Sequence, residues 1–411
     1  MARKELKKGI ERSKESSWSN LCRQVEEDPW GLPYRLVTKK LPGRRPIQGL
    51  TLPGRIESIV DTLFPADETI VWPVADASHG FHEISIEEIR QCARDIPTGK
   101  APGPDGVPDM VVKRIAERRP EIFAQAFNQC LGEGIFPAIW KRADLVLLPK
   151  GNKPLDLPSS YRPICLLNTT GKLLERIIKV RLDMHLETFG GFSERQYGFR
   201  KGKSTIDAIS HVMEVIDSKG SGPLYRRELG ALLTLDVANA FNTARWCNIS
   251  EGLIRKKVPE YLLTIIRSYM SDRSLVFGED QHRSINRGVP QGSVIGPLLW
   301  NVMYDDLLRI DLGDNIPGHS SAELVTFADD VAVVVSGHNT ELPEIAANRA
   351  LEAVSSWMKR NGLTLAAHKT EAVVLTTKRG YQKPTFMVDG VPVVPKEKLR
   401  YLFFFFFFFF V

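Results

Sequence analysis

The chain has 411 residues, more than one hydrophobic core usually holds, and its 43% hydrophobic content is ordinary for a globular protein, so we expect two or three subdomains. Its five cysteines lie far apart without a Cys-x-x-Cys pair, which argues against a disulfide framework and a zinc knuckle. No apolar run is long enough to span a membrane, and the N-terminus lacks the apolar segment of a signal peptide. We therefore expect an intracellular protein without a membrane partner, in the nucleus or the cytoplasm.

The formal charge of +6 is concentrated at the N-terminus. Residues 1–50 hold 12 Lys and Arg against 6 Asp and Glu, so the remaining 361 residues are formally neutral. Such a basic arm suits contact with the phosphate backbone of a nucleic acid, and it equally suits a solvated surface helix with a linker. Composition leaves both interpretations open.

The apolar patterns in the first half of the chain predict mostly helices. After the helical arm and linker of residues 1–50, apolar residues at helical intervals predict a helix from Ile84 to Arg94. Residues 145–148 predict a short strand. Ser204 can cap a further helix, whose apolar face is formed by Ile206, Ile209, Met213 and Ile216.

The second half predicts an alternation of strands and helices. Strands are predicted at 231–235, 324–328, 331–335 and 372–375, and helices from Pro297 through Leu308 and from Leu351 to Arg360. The order of strand, helix, hairpin, helix and strand is that of a split β-α-β sheet. We therefore predict an α+β catalytic subdomain from about 231 to 390.

Three carboxylates fall at the ends of these apolar strands. Asp236 ends one strand, and Asp329 and Asp330 occupy the predicted hairpin turn. Unpaired charges beside a buried sheet are costly, and a hard cation such as Mg²⁺, which prefers oxygen ligands, removes that cost. The pattern therefore predicts a metal site at one edge of the sheet.

Several motifs extend this pattern in a fixed order. They are GKAPGPDGVP (99–108), LLPKGNKPLDLPSSYRPICLLNTTGKLLERII (147–178), SERQYGFRKGKSTIDAI (193–209), LLTLDVANAF (232–241), RGVPQGSVIGPLLWNVMYDDLL (287–308), VTFADDVAVVV (325–335) and NGLTLAAHKTEAVVL (361–375). Together they resemble the reverse transcriptase of a non-LTR (LINE-type) retrotransposon, over residues 84–402. The string GFRKGKST (198–205) only superficially resembles a Walker loop, because three residues instead of four separate its glycines.

The resemblance implies a right-hand polymerase fold, with helical fingers over residues 51–230 and a ferredoxin-like palm over 231–390. Residues 391–411 resemble the start of a primer grip that runs into a phenylalanine tail, so a missing thumb is expected. Eight consecutive phenylalanines have neither helical nor strand alternation, and we expect them to be an artefact of the reading frame rather than structure.

The resemblance also assigns roles to individual residues. Two Mg²⁺ ions, with Mn²⁺ as the alternative, are expected on Asp236, Asp329 and the carbonyl of Val237, with Asp330 as a supporting carboxylate. Lys369 is expected to protonate the leaving pyrophosphate. Residues expected to bind the nucleotide are Lys150, Arg162, Phe241, Gln291 and Gly292, and those expected on nucleic-acid phosphates are Arg200, Lys201 and Lys203.

Phe241 is expected to lie under the sugar and exclude a 2′-hydroxyl, and its alternative interpretation is a core phenylalanine at the start of a helix. The implied partners are an RNA template, a DNA primer and deoxynucleoside triphosphates, and the sequence gives no oligomeric state. Two alternatives stay open. One is a catalytically inactive remnant of an element that at most binds RNA, and the other is a reverse transcriptase of the group II intron maturase kind.

Overall fold

The computed structural model describes residues 13, 16, 54–68, 70, 72, 80–151, 153–220, 228–278, 280–312, 320–339, 341–376, 381–402 and 404–407. The chain divides into two compact units, residues 1–58 and 59–411, and the second holds the sheets and the site described below. The basic arm predicted for residues 1–50 lies almost entirely outside the described residues. In the described part, no helix is both long enough and apolar enough to cross a bilayer.

The elements follow one another along the chain in this order. The helices are α1 (Arg55–Leu63), α2 (Ile86–Arg94), α3 (Asp109–Arg118), α4 (Pro120–Glu133), α5 (Thr169–Thr188), α6 (Thr205–Gly220), α7 (Ala240–Thr243), α8 (Trp246–Arg255), α9 (Glu260–Met270), α10 (Gly296–Tyr304) and α11 (Glu341–Arg360). The strands are β1 (Arg142–Pro149), β2 (Tyr161–Leu166), β3 (Leu229–Leu235), β4 (Arg273–Phe277), β5 (Gln281–Ile285), β6 (Ser321–Phe327), β7 (Asp330–Gly337), β8 (Glu371–Leu375), β9 (Phe386–Val388), β10 (Val391–Val393), β11 (Lys398–Tyr401) and β12 (Phe404–Phe407). Short 3₁₀ helices lie at Ala138–Trp140, Pro158–Ser160, Asp305–Arg309 and Ala367–Lys369.

One four-stranded sheet has the order β6-β7-β3-β8, with every neighbouring pair antiparallel. This is the arrangement of the split β-α-β unit predicted from the sequence, so the α+β prediction is confirmed. The strands are near-continuous apolar runs because both faces of the sheet are covered. Leu233 and Val333 belong to the main core, whereas Leu232 and Val334 pack on the opposite face with Val212 of α6.

A second four-stranded sheet has the order β2-β1-β4-β5. Strands β1 and β2 form an antiparallel pair in which Leu148 lies opposite Arg162, and β1 is parallel to β4. The loop around Gln291 borders β2, since the carbonyl of Gln291 accepts a 2.7 Å hydrogen bond from the N–H of Cys165. The second sheet is thereby tied to the segment that precedes α10.

The hairpin turn differs from its prediction by one residue. Phe327 pairs with Asp330, so the turn consists of Ala328 and Asp329, and Asp330 is the first residue of β7. Ala328 has a φ of 59°, which is the left-handed backbone that a two-residue hairpin turn requires. The two aspartates are therefore held in different backbone environments, one in the turn and one in the sheet.

Other elements also depart from the sequence-based boundaries. Helix α11 begins at Glu341, ten residues before the predicted start, because its first turns pack small side chains such as Ala346 and Ala347 that carry little apolar signal. Ile206, predicted on the apolar face of α6, is 71% exposed, since the buried face is formed by Ala208 and Val212. Part of the phenylalanine run also forms structure, because β12 pairs antiparallel with β11.

Candidate active site

The three carboxylates lie at one edge of the sheet β6-β7-β3-β8. Strands β3 and β7 pair Leu235 with Val331, so continuing that register by one residue sets Asp236 opposite Asp330. Opposite residues of an antiparallel pair project from the same face of a sheet. Asp329, in the turn beside them, completes the group.

The electrostatics of the carboxylates show that they interact. Desolvation raises the pKa of Asp330 to about 7, and the charges of Asp329 and Asp236 add to this effect. Burial also raises the pKa of Asp329, and the charge of Asp236 acts in the same direction. Asp330 nevertheless retains exposed surface. Asp330 therefore lies partly open to solvent beside buried groups, where a cation would stabilise the ionised carboxylates.

The main chain at Val237 faces the same cluster. The carbonyl of Asp236 and the N–H of Ala238 form hydrogen bonds of 2.8 Å to residues 364–366. Main-chain groups of successive strand residues point to opposite sides, so the carbonyl of the intervening Val237 is directed towards the β7 side, where Asp329 lies. The carbonyl of Val237 could thus act as an oxygen ligand if a cation bound at this edge.

Lys369 is placed directly on this cluster. The 3₁₀ helix Ala367–Lys369 precedes β8, the strand next to β3. Nζ of Lys369 lies 2.7 Å from Oδ2 of Asp236, and both side chains keep contact with solvent. The ammonium therefore neutralises one of the three carboxylates in this conformation.

Lys150 and Arg162 face the carboxylates from the other sheet. The N–H of Lys150, just after β1, donates to the carbonyl of Ser160, and Arg162 lies on β2. The charges of Lys150 and Arg162 both lower the pKa of Asp329, while those of Lys369 and Arg162 act on Lys150. Desolvation, with these neighbouring cations, lowers the pKa of Lys150. Lys150, just after β1, and Arg162, on β2, are thus close enough to Asp329 for their charges to act on it.

The aspartate turn rests on two buried aromatic residues of α10. Nε1 of Trp300 donates to the carbonyl of Ala328 at 3.1 Å, and the hydroxyl of Tyr304 approaches the carbonyl of Asp329 at 3.4 Å. Trp300 and Tyr304 are fully buried. The turn is therefore supported from the core, which favours a fixed position for Asp329.

Phe241 is half-buried in the short helix α7 and stacks on Trp300. Their ring centroids are 5.3 Å apart and the ring planes meet at 16°. A second aromatic ring, that of Phe199, meets Phe241 edge-on at 5.7 Å. Phe241 packs on the core through Trp300 and keeps part of its surface open, so both interpretations given for it above are compatible with its position.

Gln291 and Gly292 lie in the loop that leads into α10. Gly292 has a φ of 126°, and a Cβ there would come within 2.4 Å of the carbonyl oxygen of Cys165, so only glycine fits. The loop is also held by a residue that the sequence analysis did not single out. The buried carboxylate of Glu175 on α5 accepts hydrogen bonds from the N–H groups of Val294 and Ile295, at 2.6 and 3.2 Å.

Two of the three basic residues predicted to contact nucleic acid are engaged within the protein. Arg200 donates to the carbonyls of Ser193 and Gln196, at 2.7 and 3.0 Å. Lys203 forms a 2.9 Å ion pair with Glu194. Lys201 is exposed and forms no ion pair within the described residues. Lys201 is therefore the most available of the three for a phosphate.

The oxygen atoms of this site suit a divalent cation. They belong to carboxylates and a carbonyl, and the negative charges of the carboxylates repel one another when no cation is bound. In the described part of the chain, however, no group of three or more His, Cys, Asp or Glu side chains is arranged to hold a metal ion. In this structure the ammonium of Lys369 is the cation that lies beside Asp236.

Comparison with known proteins identifies the family. The family model described as reverse transcriptase (RNA-dependent DNA polymerase) matches residues 148–404, more than half of the chain. The chain belongs to the reverse transcriptase family. The matched range includes the aspartates and Lys150, Arg162, Phe241, Gln291 and Lys369, so the family resemblance of the motifs is confirmed.

Curated relatives of this reverse transcriptase family are proteins of transposable elements. The chain is 31% identical, over 295 residues, to the probable RNA-directed DNA polymerase from transposon BS of Drosophila melanogaster, which covers 70% of this chain and 32% of that protein. It is 27% identical, over 97% of its length and 40% of the relative, to the retrovirus-related Pol polyprotein from type-1 retrotransposable element R1 of Bradysia coprophila. The RNA-directed DNA polymerase from mobile element jockey of D. melanogaster is 28% identical, over 72% of this chain and 32% of that protein. The chain thus spans about a third to two fifths of the length of these relatives.

Proposed function

We propose that this chain catalyses RNA-directed DNA synthesis as the polymerase part of a non-LTR retrotransposon protein. The observation that carries the proposal is that Asp236, Asp329 and Asp330 lie at one edge of the sheet, and that the charges of Lys150 and Arg162 act on Asp329. We call the space between these groups the proposed cleft. Anionic groups on one side and cations on the other suit a nucleotide triphosphate that is bound through a divalent metal. The names of the relatives support the same activity.

In this proposal Asp236, Asp329 and the carbonyl of Val237 hold the divalent ions, Mg²⁺ or Mn²⁺, and Asp330 supports them. The ions, when bound, stabilise the charge that develops on the phosphate during nucleotidyl transfer. The carboxylates supply oxygen ligands that Mg²⁺ prefers. A bound cation would favour the ionised forms of Asp329 and Asp330, which burial disfavours in its absence.

The other residues of the cleft bind and orient the nucleotide. Lys150 and Arg162 contact the triphosphate, for which the planar guanidinium offers two parallel donors. Phe241 occupies the space that a 2′-hydroxyl would need, so deoxynucleotides are favoured. Gln291 and Gly292 border the incoming nucleotide and the template base, and Lys369 donates a proton to the pyrophosphate as it leaves.

The sheet β6-β7-β3-β8 corresponds in this proposal to the palm of a right-hand polymerase, over residues 231–390. The upstream helices and strands β1 and β2, over residues 51–230, correspond to the fingers. Strands β4 and β5, which complete the sheet of β1 and β2, come from the palm range of the sequence. An RNA template and a DNA primer are the nucleic-acid partners, and Lys201 and the basic N-terminal arm contact their phosphates.

Single-nucleotide incorporation tests the proposal, because it requires binding and chemistry but no processive synthesis. The purified chain is mixed with a preformed RNA template and DNA primer, one complementary deoxynucleotide and Mg²⁺ or Mn²⁺. We expect extension of the primer by one nucleotide. A chain that binds the hybrid but extends the primer with neither metal contradicts the proposal and supports the inactive-remnant alternative.

A further inference from the structure

A segment outside the described strands lies along the edge strand β6. The N–H of Thr326 donates to the carbonyl of Arg195, and the N–H of Tyr197 donates to the carbonyl of Thr326, each at 2.9 Å. Gln196 and Thr326 form a parallel bridge. Residues 195–199, which we call the edge segment, are thereby aligned with the hairpin that carries Asp329.

A buried polar network fixes the edge segment to α10. The side-chain amide of Gln196 donates to Oδ1 of Asn301 at 2.7 Å, and the amide of Asn301 donates to the carbonyl of Gly198 at 2.8 Å. The hydroxyl of Thr326 donates to Oε1 of Gln196. Gln196, Asn301 and Thr326 are completely buried. Each buried amide has a partner at both ends, and such a satisfied network specifies one position for the backbone.

The edge segment ends in a strained backbone against the aspartate turn. A Cβ at Gly198 would lie 2.0 Å from the nitrogen of Ala328, so only glycine allows this approach. Phe199 follows with a φ of 57°, a left-handed conformation that is uncommon for a bulky residue. Backbone strain of this kind persists where the surrounding structure determines it, and it concentrates at functional sites. Glycine or asparagine would adopt this backbone more readily, so the conformation alone does not account for a phenylalanine.

The ring of Phe199 explains why phenylalanine stands there. Its ring meets that of Phe241 edge-on, with centroids 5.7 Å apart and planes at 87°. Phe241 stacks on Trp300 through another contact. Phe241 is thus contacted by two aromatic rings, one belonging to the rigid helix α10 and one to the edge segment. Phe199 itself is 48% exposed, so burial in a core does not explain its side chain.

We propose that Phe199 is a positioning residue for sugar selection, which holds the ring of Phe241 in the place where it excludes a 2′-hydroxyl. This inference rests on the proposed polymerase function and adds a second residue to its specificity. Without the edge-on contact, Phe241 keeps its stack on Trp300 but gains freedom on its other side. The selection against ribonucleotides then weakens while the carboxylates stay in place.

The test measures kcat/KM for a deoxynucleotide and for the matching ribonucleotide with wild type, Phe199→Ala, Phe199→Tyr, Phe241→Ala and the Phe199→Ala/Phe241→Ala double variant. We expect Phe199→Ala to reduce the ratio of deoxy- to ribonucleotide incorporation by about 2- to 10-fold, the factor that corresponds to the loss of one aromatic pair. Phe199→Tyr keeps the ring and should keep the wild-type ratio. Ile206→Ala, an exposed apolar residue on α6, is the matched control and should leave the ratio unchanged.

Two outcomes overturn the inference. One is an equal loss of kcat/KM for both nucleotides in Phe199→Ala, which would indicate a merely structural role. The other is a double variant that is less selective than Phe241→Ala by the whole factor that Phe199→Ala causes in the wild type. Wild-type extension of the primer is scored first, because its failure counts against the polymerase function itself. A double-mutant cycle on the unfolding free energy tests the ring contact without nucleotide, and additive effects of the two alanine substitutions would overturn the inference even for an inactive chain.

Discussion

Nζ of Lys369 lies 2.7 Å from Oδ2 of Asp236, although 133 positions separate the two residues in the sequence. The ion pair places the only lysine of the 3₁₀ helix Ala367–Lys369 at the proposed metal site. In the proposed mechanism the ammonium leaves Asp236 to the metal and donates a proton to the departing pyrophosphate. Lys369 would then pair with Asp236 before the reaction and act as a proton donor during it.

Replacing Lys369 by Ala should slow nucleotide incorporation by roughly 10²- to 10⁴-fold, the usual contribution of a positioned general acid. The KM for the nucleotide should change much less, because Lys150 and Arg162 remain. Single-turnover incorporation at saturating nucleotide measures the effect. The control is Lys396→Ala, which removes a similar exposed lysine paired with Glu371 at 2.6 Å. Equal rates for the two variants would contradict a proton-donor role.

Phe241→Ala should admit ribonucleotides, since the ring that fills the space of the 2′-hydroxyl is gone. Incorporation of deoxynucleotides should persist, because Asp236 and Asp329 are untouched. The ratio of ribo- to deoxynucleotide incorporation on one hybrid gives the answer. Phe123→Ala serves as a comparison, since it removes a buried phenylalanine of α4 in the main core. An unchanged ratio in Phe241→Ala would mean that Phe241 is only a core residue.

Glu175→Ala should destabilise the fold by about 2–4 kcal/mol, because it leaves the buried N–H groups of Val294 and Ile295 without their acceptor. Glu175→Gln keeps an acceptor of the same shape and should cost less. Chemical denaturation at fixed pH measures both changes. Equal stabilities of wild type and Glu175→Ala would show that the carboxylate does not hold the loop.

The same residue makes a prediction about pH. Burial raises the pKa of Glu175 above the ordinary glutamate value of 4.5. A carboxyl group whose pKa is higher in the folded than in the unfolded protein stabilises the fold at pH values below its pKa in the unfolded protein. That stabilisation is lost as the pH rises through its pKa in the folded protein. Wild type should therefore lose this stability as the pH increases above about 4.5, and Glu175→Gln should lack that component. Parallel stability curves for the two proteins would contradict the assignment.

Lys201→Ala should weaken binding of an RNA and DNA hybrid and reduce the slope of log affinity against log salt by about one unit. Lys203→Ala should change the slope less, because the ammonium of Lys203 is already paired with Glu194. Binding titrations over a range of salt concentrations compare the two variants. A larger change of the slope in Lys203→Ala than in Lys201→Ala would contradict the prediction and assign the phosphate contact to Lys203.

Much of the sheet could be predicted from the sequence, because its strands are apolar runs bounded by clear turn residues. The sequence places β3 at 231–235, and the structure extends that strand by two residues to Leu229. The start of α11 could not be predicted, since Ala346, Ala347 and Ala350 are buried without a strong hydrophobic pattern. The exposure of Ile206 was also unpredictable, because periodicity defines a face but not which part of it is covered.

For the site, the sequence identified the residues with distinctive chemistry, and the structure places Asp236, Asp329, Lys150, Arg162 and Lys369 within reach of one another's charges. It missed residues whose role depends on long-range packing. Glu175 gives no local signal, because its partners lie 119 and 120 positions away. For Arg200 and Lys203 the sequence predicts contact with nucleic acid, because it shows their charge. It does not show the groups within the protein that already engage them.

The central claim is that Asp236 and Asp329 act together on a divalent cation. Single-nucleotide incorporation by Asp236→Asn and Asp329→Asn tests it most directly, with Asp306→Asn as the control because Asp306 pairs with Arg255 at 3.1 Å. We predict that either cleft substitution lowers incorporation by about 10³-fold or more, while hybrid binding and thermal unfolding stay close to wild type. Incorporation by Asp236→Asn or Asp329→Asn at the rate of Asp306→Asn would contradict the account.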